Sequence, residues 1–212
     1  MPIPEILSQI FEQYDYEDLN LCITDVALHS GIFSVTFEIQ SAGIADLEPL
    51  DSQWTVTATG YRDSRITFDY ASNIHIQNDH PLLWKYIDTQ CELYFNGQCR
   101  DIGHFFADIY DIHYELFKSY TPFESFLNPC PIYPLLQANS GLLARGPKKL
   151  LERYAERLKV YGLGYSIIGE RSPAYWNGTS FIPESKDLKV LFFSDTRTYI
   201  VAEDFLFRRY LG

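Results

Sequence analysis

Apolar and polar residues alternate along much of the first hundred positions. LNLCITDVAL (19–28) and IFSVTFEI (32–39) change character at every second residue, the period of a strand. In the second run Phe33, Val35, Phe37 and Ile39 share one face, and the turn His29-Ser30-Gly31 joins the two runs. Ahead of them, PEILSQIFEQY (4–14) carries the pattern of a short helix with Ile6, Ile10 and Phe11 on one side. Residues 41–52, with Gly43 and Pro49, read as a loop. WTVTATG (54–60), RITFDY (65–70), NIHIQ (73–77) and CELYFNG (91–97) then bring the expected total to about six strands before residue 98.

The period changes after residue 100. Residues 101–118 and 147–161 repeat their apolar positions at helical spacing. Between them, TPFESFLNPCPIYPLLQANSG holds four prolines but is too apolar for a flexible linker, and reads as a packed connection with short helical turns. After Gly162 strands return: GYSIIGE (164–170), a hairpin at Asn177-Gly178, LKVLFF (188–193) and TYIVAEDFLF (198–207). Asn-Gly tolerates the positive φ that a two-residue hairpin turn requires. Strands and helices in blocks predict an α+β fold. The expected organisation is a β-rich part with a short N-terminal helix (1–98) and a helical segment plus α+β part (99–212), as subdomains or within one compact domain.

The 101–117 stretch, DIGHFFADIYDIHYELF, concentrates candidate ligands. At 100° per residue Asp101, His104, Asp108, Asp111 and Glu115 fall within an arc of about 80°. His113 falls in the middle of the apolar arc, where a core histidine is expected. His104, Asp108 and Asp111 could place three ligands on one side, and imidazole with carboxylate suits Zn, Mn or Fe. A metal would need further ligands, and there is no second helix of this kind to supply them. The expected reading is therefore a solvated acidic face, with Asp101 as the helix N-cap.

GLLARGPKKLLERYAERLKVYG faintly matches G-x-x-x-x-G-K-[ST]. Pro147 removes a backbone donor, Leu150 stands where a hydroxyl belongs, and no strand is expected ahead of it. Pro147 instead starts a helix with Leu151, Tyr154, Ala155, Leu158 and Tyr161 inward. Arg145, Lys148, Lys149, Arg153 and Arg157 make its outer side basic, with Lys148 and Lys149 at the helix start. Cations there oppose the helix dipole, so an anion or an acidic partner would relieve them; the competing reading is a solvated face paired through Lys148–Glu152. Gly162-x-Gly164 lies between helix and strand, the reverse of a dinucleotide turn, and Gly162 reads as a helix stop.

Charge narrows the partners. The 212 residues carry a net −11, which opposes binding to nucleic acid. Residues 141–212 carry twelve basic and eight acidic side chains, against five and twenty in 1–140. That asymmetry points to a protein partner or to self-association, or to a match between two halves of one fold. Aromatics reach 16%. No apolar run is long enough to span a membrane, and the acidic start lacks the features of a signal peptide, so a cytoplasmic location is expected. Cys22, Cys91, Cys99 and Cys130 are then expected as free thiols, although a hairpin at Asn96-Gly97 could bring Cys91 and Cys99 together. His75 and His80 read as a strand-to-helix transition at Pro81.

WTVTATGYRDSRITF, DHPLLWKY, CELYFNG, the 101–117 helix and GLLARGPKKLLERYAERL together resemble an uncharacterised cyanobacterial protein family with no assigned activity. The resemblance covers most of the chain and implies no catalytic residues. It implies that DHPLLW and GLLARGP are landmarks that stabilise a turn and a helix start.

The favoured expectation is a non-catalytic binding or interaction protein without a cofactor. The first alternative is an enzyme or small-ligand binder for a phosphate- or carboxylate-bearing ligand at 146–149. The second is a metal-dependent hydrolase at His104, Asp108 and Asp111. No hydrolase, kinase, zinc-protease or calcium-loop motif is present to favour an enzyme.

Overall fold

The computed structural model describes residues 3–14, 19–29, 31–41, 50–129, 132–176, 178–185 and 187–210. In chain order its elements are α1 (Glu5–Gln13), β1 (Leu19–His29), β2 (Ile32–Ser41), β3 (Leu50–Thr59), β4 (Asp63–Arg65) and β5 (Ile74–Gln77). A short turn at Pro81–Leu83 leads into α2 (Trp84–Ile87), β6 (Gln90–Asn96) and α3 (Ile102–Phe117). Then come α4 (Ile132–Gln137), β7 (Ser140–Pro147), α5 (Lys148–Val160) and β8 (Gly164–Arg171). The chain ends with β9 (Ala174–Trp176), β10 (Phe181–Pro183), β11 (Lys189–Phe193), β12 (Tyr199–Ala202) and β13 (Asp204–Tyr210). The class is α+β, with antiparallel sheets at both ends of the chain and the helices mostly between. No helix among the described residues is long and apolar enough to cross a membrane.

Two compact units emerge, Met1–His80 with Asp187–Gly212, and Pro81–Lys186. The compositional boundary at 98/99 lies inside the second of these. Charge divides with the units. The first holds six basic and seventeen acidic residues, a net of −11, and the second holds eleven of each.

The first unit contains two four-stranded sheets, ordered β1-β2-β3-β13 and β4-β12-β11-β5. The alternation in β2 works as its spacing predicts: Phe33, Val35, Phe37 and Ile39 are all buried. Their register aligns Phe37 with Ile23 and Trp54, and Val35 with Val56. The second sheet contributes Ile74, Leu191, Phe193, Ile200 and Ala202 to the same core, and α1 adds Leu7 and Ile10. Phe37 and Phe193 meet edge to face at 5.6 Å. Each fully buried side chain of this size contributes about 1.5–3 kcal/mol. Ile6, expected inward, is 50% exposed, and Leu7 takes its place.

Two strand assignments change. The strand expected at 65–70 lies at Asp63–Arg65, because its pairing with β12 places Arg65 opposite Tyr199 and leaves Ile66 onward outside the ladder. The run expected as one strand over 198–207 is two strands in different sheets, bent at Glu203. Glu203 donates its N–H to Thr59 O at 2.9 Å and pairs with Arg62 at 2.8 Å. Gly60 lies directly beneath its side chain at φ +62, where a Cβ would approach within 2.5 Å. Both halves of the run keep the β-branched and aromatic pattern of a strand, so only this corner marks the break.

The second unit is built on a three-stranded sheet ordered β7-β6-β8. Residues 140–147, expected to enter the helix from a loop, form strand β7, paired to β6 over its length. Helix α5 packs Leu150, Leu151, Tyr154, Ala155 and Leu158 inward. It stops as expected at Gly162, where φ is +71, Gly162 donates to Lys159 O and Leu163 donates to Leu158 O. Asp101 caps α3 by accepting the N–H of His104 at 3.2 Å. Of the expected turn, Asn177 lies outside the described residues, as does Ser30 of the first one. The hairpin itself forms, Trp176 pairing with Phe181.

Candidate functional site

The basic helix start is already occupied. Lys148 donates its N–H to Thr89 O at 2.8 Å, and Lys149 donates its N–H to the Asp88 carboxylate, also at 2.8 Å. The anion that the helix dipole favours at this end is therefore a side chain of the same unit. Lys148 Nζ binds Glu170 at 2.6 Å rather than Glu152, and that partner raises its pKa. A strand does lead into this helix, yet Pro147 and these two bonds still leave no phosphate cradle.

Apart from Lys148 on Glu170, the cations read from sequence at this helix start separate into two places. Lys149 and Arg153 border a depression of about 270 Å³ with Trp84, Glu152 and Glu156, and Lys149 Nζ sits 5.6 Å from the Trp84 ring. Arg145 lies elsewhere, on a cleft of about 870 Å³. Lys85 and Tyr86 form part of its wall, with Phe126 and Gly146 beside them. Arg171, Pro173 and Phe181 also line it.

Strand register builds the centre of this cleft. Glu92 of β6 lies opposite Arg145 of β7, and Gln90 lies opposite Arg171 of β8. Opposed residues share a face of the sheet. Arg145 Nε stands 3.1 Å from Glu92 Oε1, and Arg171 Nη2 stands 3.6 Å from the same oxygen. Tyr94 donates its hydroxyl to Glu92 Oε2 at 2.9 Å, which raises the tyrosine pKa. Glu92 is 18% exposed while the two arginines are 63% and 73% exposed. One half-sunk carboxylate thus anchors two guanidiniums that project into solvent. Each guanidinium carries five N–H donors in a planar fork matched to a second carboxylate or a phosphate.

Phe126 and Gly146 line the cleft side by side. A Cβ on Gly146 would approach Phe126 within 2.7 Å, and φ there is +154. Segment 126–128 runs along the outer edge of β7. Arg145 donates its N–H to Phe126 O, Asn128 donates its N–H to Leu143 O, and Leu127 bridges Ala144. On the other side Trp176 and Phe181, 56% and 73% exposed, meet at 5.2 Å on the β9–β10 hairpin.

The α3 ligand candidates do not converge. His104 Nδ1 lies 2.7 Å from Asp101, and Asp108 accepts from the Tyr161 hydroxyl at 3.1 Å with Arg157 at 3.9 Å. Asp111 is exposed. Among the described residues no group of three or more His, Cys, Asp and Glu is placed to hold a metal. His113 is buried as expected, and both its ring nitrogens have partners, Thr121 O at 2.9 Å and the Tyr154 hydroxyl at 3.3 Å.

His75 and His80 both flank Phe192. His75 Nδ1 lies 3.1 Å from the Ser194 hydroxyl, a pairing the sequence did not suggest. Cys22, Cys91 and Cys99 are free thiols, and Cys130 lies outside the described residues.

Sequence reading missed Arg171, Lys85, Glu92 and Phe181. Arg171 and Phe181 lie far along the chain from Lys85 and Glu92, which fall in DHPLLWKY and CELYFNG, stretches with no chemical signature of their own. For Glu92 and Arg171 the signal was charge at outward strand positions, which acquires meaning once register is known. The chain matches no family model, no curated protein and no solved structure.

Proposed function

We propose that this is a non-catalytic binding protein whose Pro81–Lys186 unit recognises an acidic partner at the Arg145–Arg171 cleft. The observation that carries the reading is the convergence of two exposed guanidiniums on one anchoring carboxylate, Glu92. Glu92 holds the forks in place, which lowers the entropy lost when a second anion is bound. Lys85 on the wall and Phe126 and Phe181 nearby add charge and apolar surface. Cys91 lines the cleft but is buried, and its thiol pKa is pushed up by that burial, so it offers no ready thiolate there.

Titration with poly-L-glutamate at low salt tests this. Binding should weaken as salt rises and be lost in the double variant Arg145→Gln/Arg171→Gln. It should persist in Arg153→Gln, on the separate depression. Equal binding by the double variant and the wild type would refute the assignment.

A further inference from the structure

The β7-β6-β8 sheet treats its two edges differently. Segment 126–128 hydrogen-bonds along the outer edge of β7. The outer edge of β8 pairs with no strand among the described residues. Seven of its eight residues are exposed, Ile167 being the exception. Unpaired edges recruit other strands, and proteins usually defend them with lysine, proline or a bulge. Here Gly164–Ile168 reads GYSII, with neither charge nor proline, and with Ile168 51% exposed. The bulge comes only afterwards, at Gly169 with φ +72, where the register with β6 shifts.

Cations stand at both ends of this open run. Lys159 Nζ lies 5.3 Å over the Tyr165 ring at one end. Arg171, beside Arg145 on Glu92, stands at the other. The two lie on opposite faces of the sheet, because Tyr165 stands opposite Phe95 and Arg171 opposite Gln90. The side chains of an added strand alternate between those faces, so an acidic strand meets a complementary cation on each.

We infer that the partner of the cleft is an extended acidic polypeptide that adds to the β8 edge as a fourth strand. Its backbone pairs along Gly164–Ile168, and its carboxylates reach Arg171 and Arg145. The inference rests on the acidic-partner reading above and adds its conformation and its docking edge.

The test uses the full chain and a short capped peptide of alternating Glu and Val. A second peptide carries N-methyl groups on two neighbouring central nitrogens, which blocks both of its edges and leaves every charge in place. A third replaces Glu by Lys. Strand addition predicts that the first peptide binds and slows amide exchange within residues 164–171. Central methylation should weaken it about tenfold or more. If the methylated peptide binds as tightly, or exchange in 164–171 stays unchanged when the peptide is bound, strand addition is wrong while the acidic cleft stands. If the Lys peptide binds equally well, or Arg145→Gln/Arg171→Gln keeps full affinity for the Glu peptide, the acidic-partner reading itself fails. A dimer whose β8 amides are protected without peptide would assign the edge to a second copy and overturn the inference.

Discussion

The carboxylate of Asp88 accepts the backbone N–H of Lys149 at 2.8 Å, so a residue from the loop after α2 caps the start of α5. Pro147 and Lys148 have no side-chain oxygen with which to do this. The cap is supplied from across the unit, and it also neutralises the positive end of the helix dipole.

Asp88→Ala should therefore cost about 1 kcal/mol of stability, the usual value of a lost helix cap. Urea denaturation measures the loss. The variant should also gain stabilisation by inorganic phosphate beyond any shown by the wild type, because the vacated N–H now faces an anion from solution. An identical phosphate response in the two proteins would show that Asp88 is not occupying the helix start.

Gly146→Ala should be among the more damaging single changes in the second unit. The new Cβ would meet Phe126 at 2.7 Å. Overpacking of this kind costs about 1–3 kcal/mol, with backbone strain in addition. Calorimetry should show a lowered Tm, and the smaller Phe126→Leu side chain placed in the same protein should restore part of it.

Three histidines make stability fall with acid. Burial lowers the pKa of His75, His80 and His113, that of His80 to about 4. In the unfolded chain each titrates near the ordinary histidine value of 6.5, so below that pH the unfolded state binds more protons than the folded state. The neutral forms stabilise the fold fully above pH 6.5, and this contribution is lost as pH drops toward about 4. Denaturation midpoints followed across that window should decline, and His80→Asn should flatten the decline. A variant that falls as steeply as the wild type would exclude His80 as a contributor.

Glu203→Gln should weaken the corner between β12 and β13. Arg62 is 8% exposed on its side chain and binds Glu203 at 2.8 Å and Gly60 O at 2.7 Å. A hydrogen bond to a charged group contributes about 1.5–3 kcal/mol, so neutralising the acid should cost a large part of that. The loss should appear in far-UV melting, and Thr59 and Gly60 amides should exchange faster.

Patterns confined to neighbouring residues were legible in the sequence. The inward face of β2, the Asp101 cap, the burial of His113 and the Gly162 stop all follow from local spacing. Position relative to another strand was not. Ser140–Pro147 contains two glycines and the run Leu142-Leu143-Ala144, which carries no alternation, and pairing with β6 makes it a strand. The cleft was half visible for the same reason. Arg145 could be picked out as one of a basic group, but its alliance with Arg171 is created by two registers on β6. The dipole argument was sound about the need for an anion at α5 and silent about Asp88, sixty-one positions away.

The first unit draws its strands from both ends of the described chain, with β3 paired to β13 and β5 to β11. During synthesis β1–β5 leave the ribosome long before those partners exist. The Pro81–Lys186 unit, whose sheet is complete within consecutive residues, can close first. The earlier strands must wait with Phe33, Val35, Phe37 and Trp54 uncovered, a state prone to association. All of the net charge of −11 lies in this waiting unit. Repulsion between nascent chains would then oppose association of the unfinished sheet until its last strand arrives.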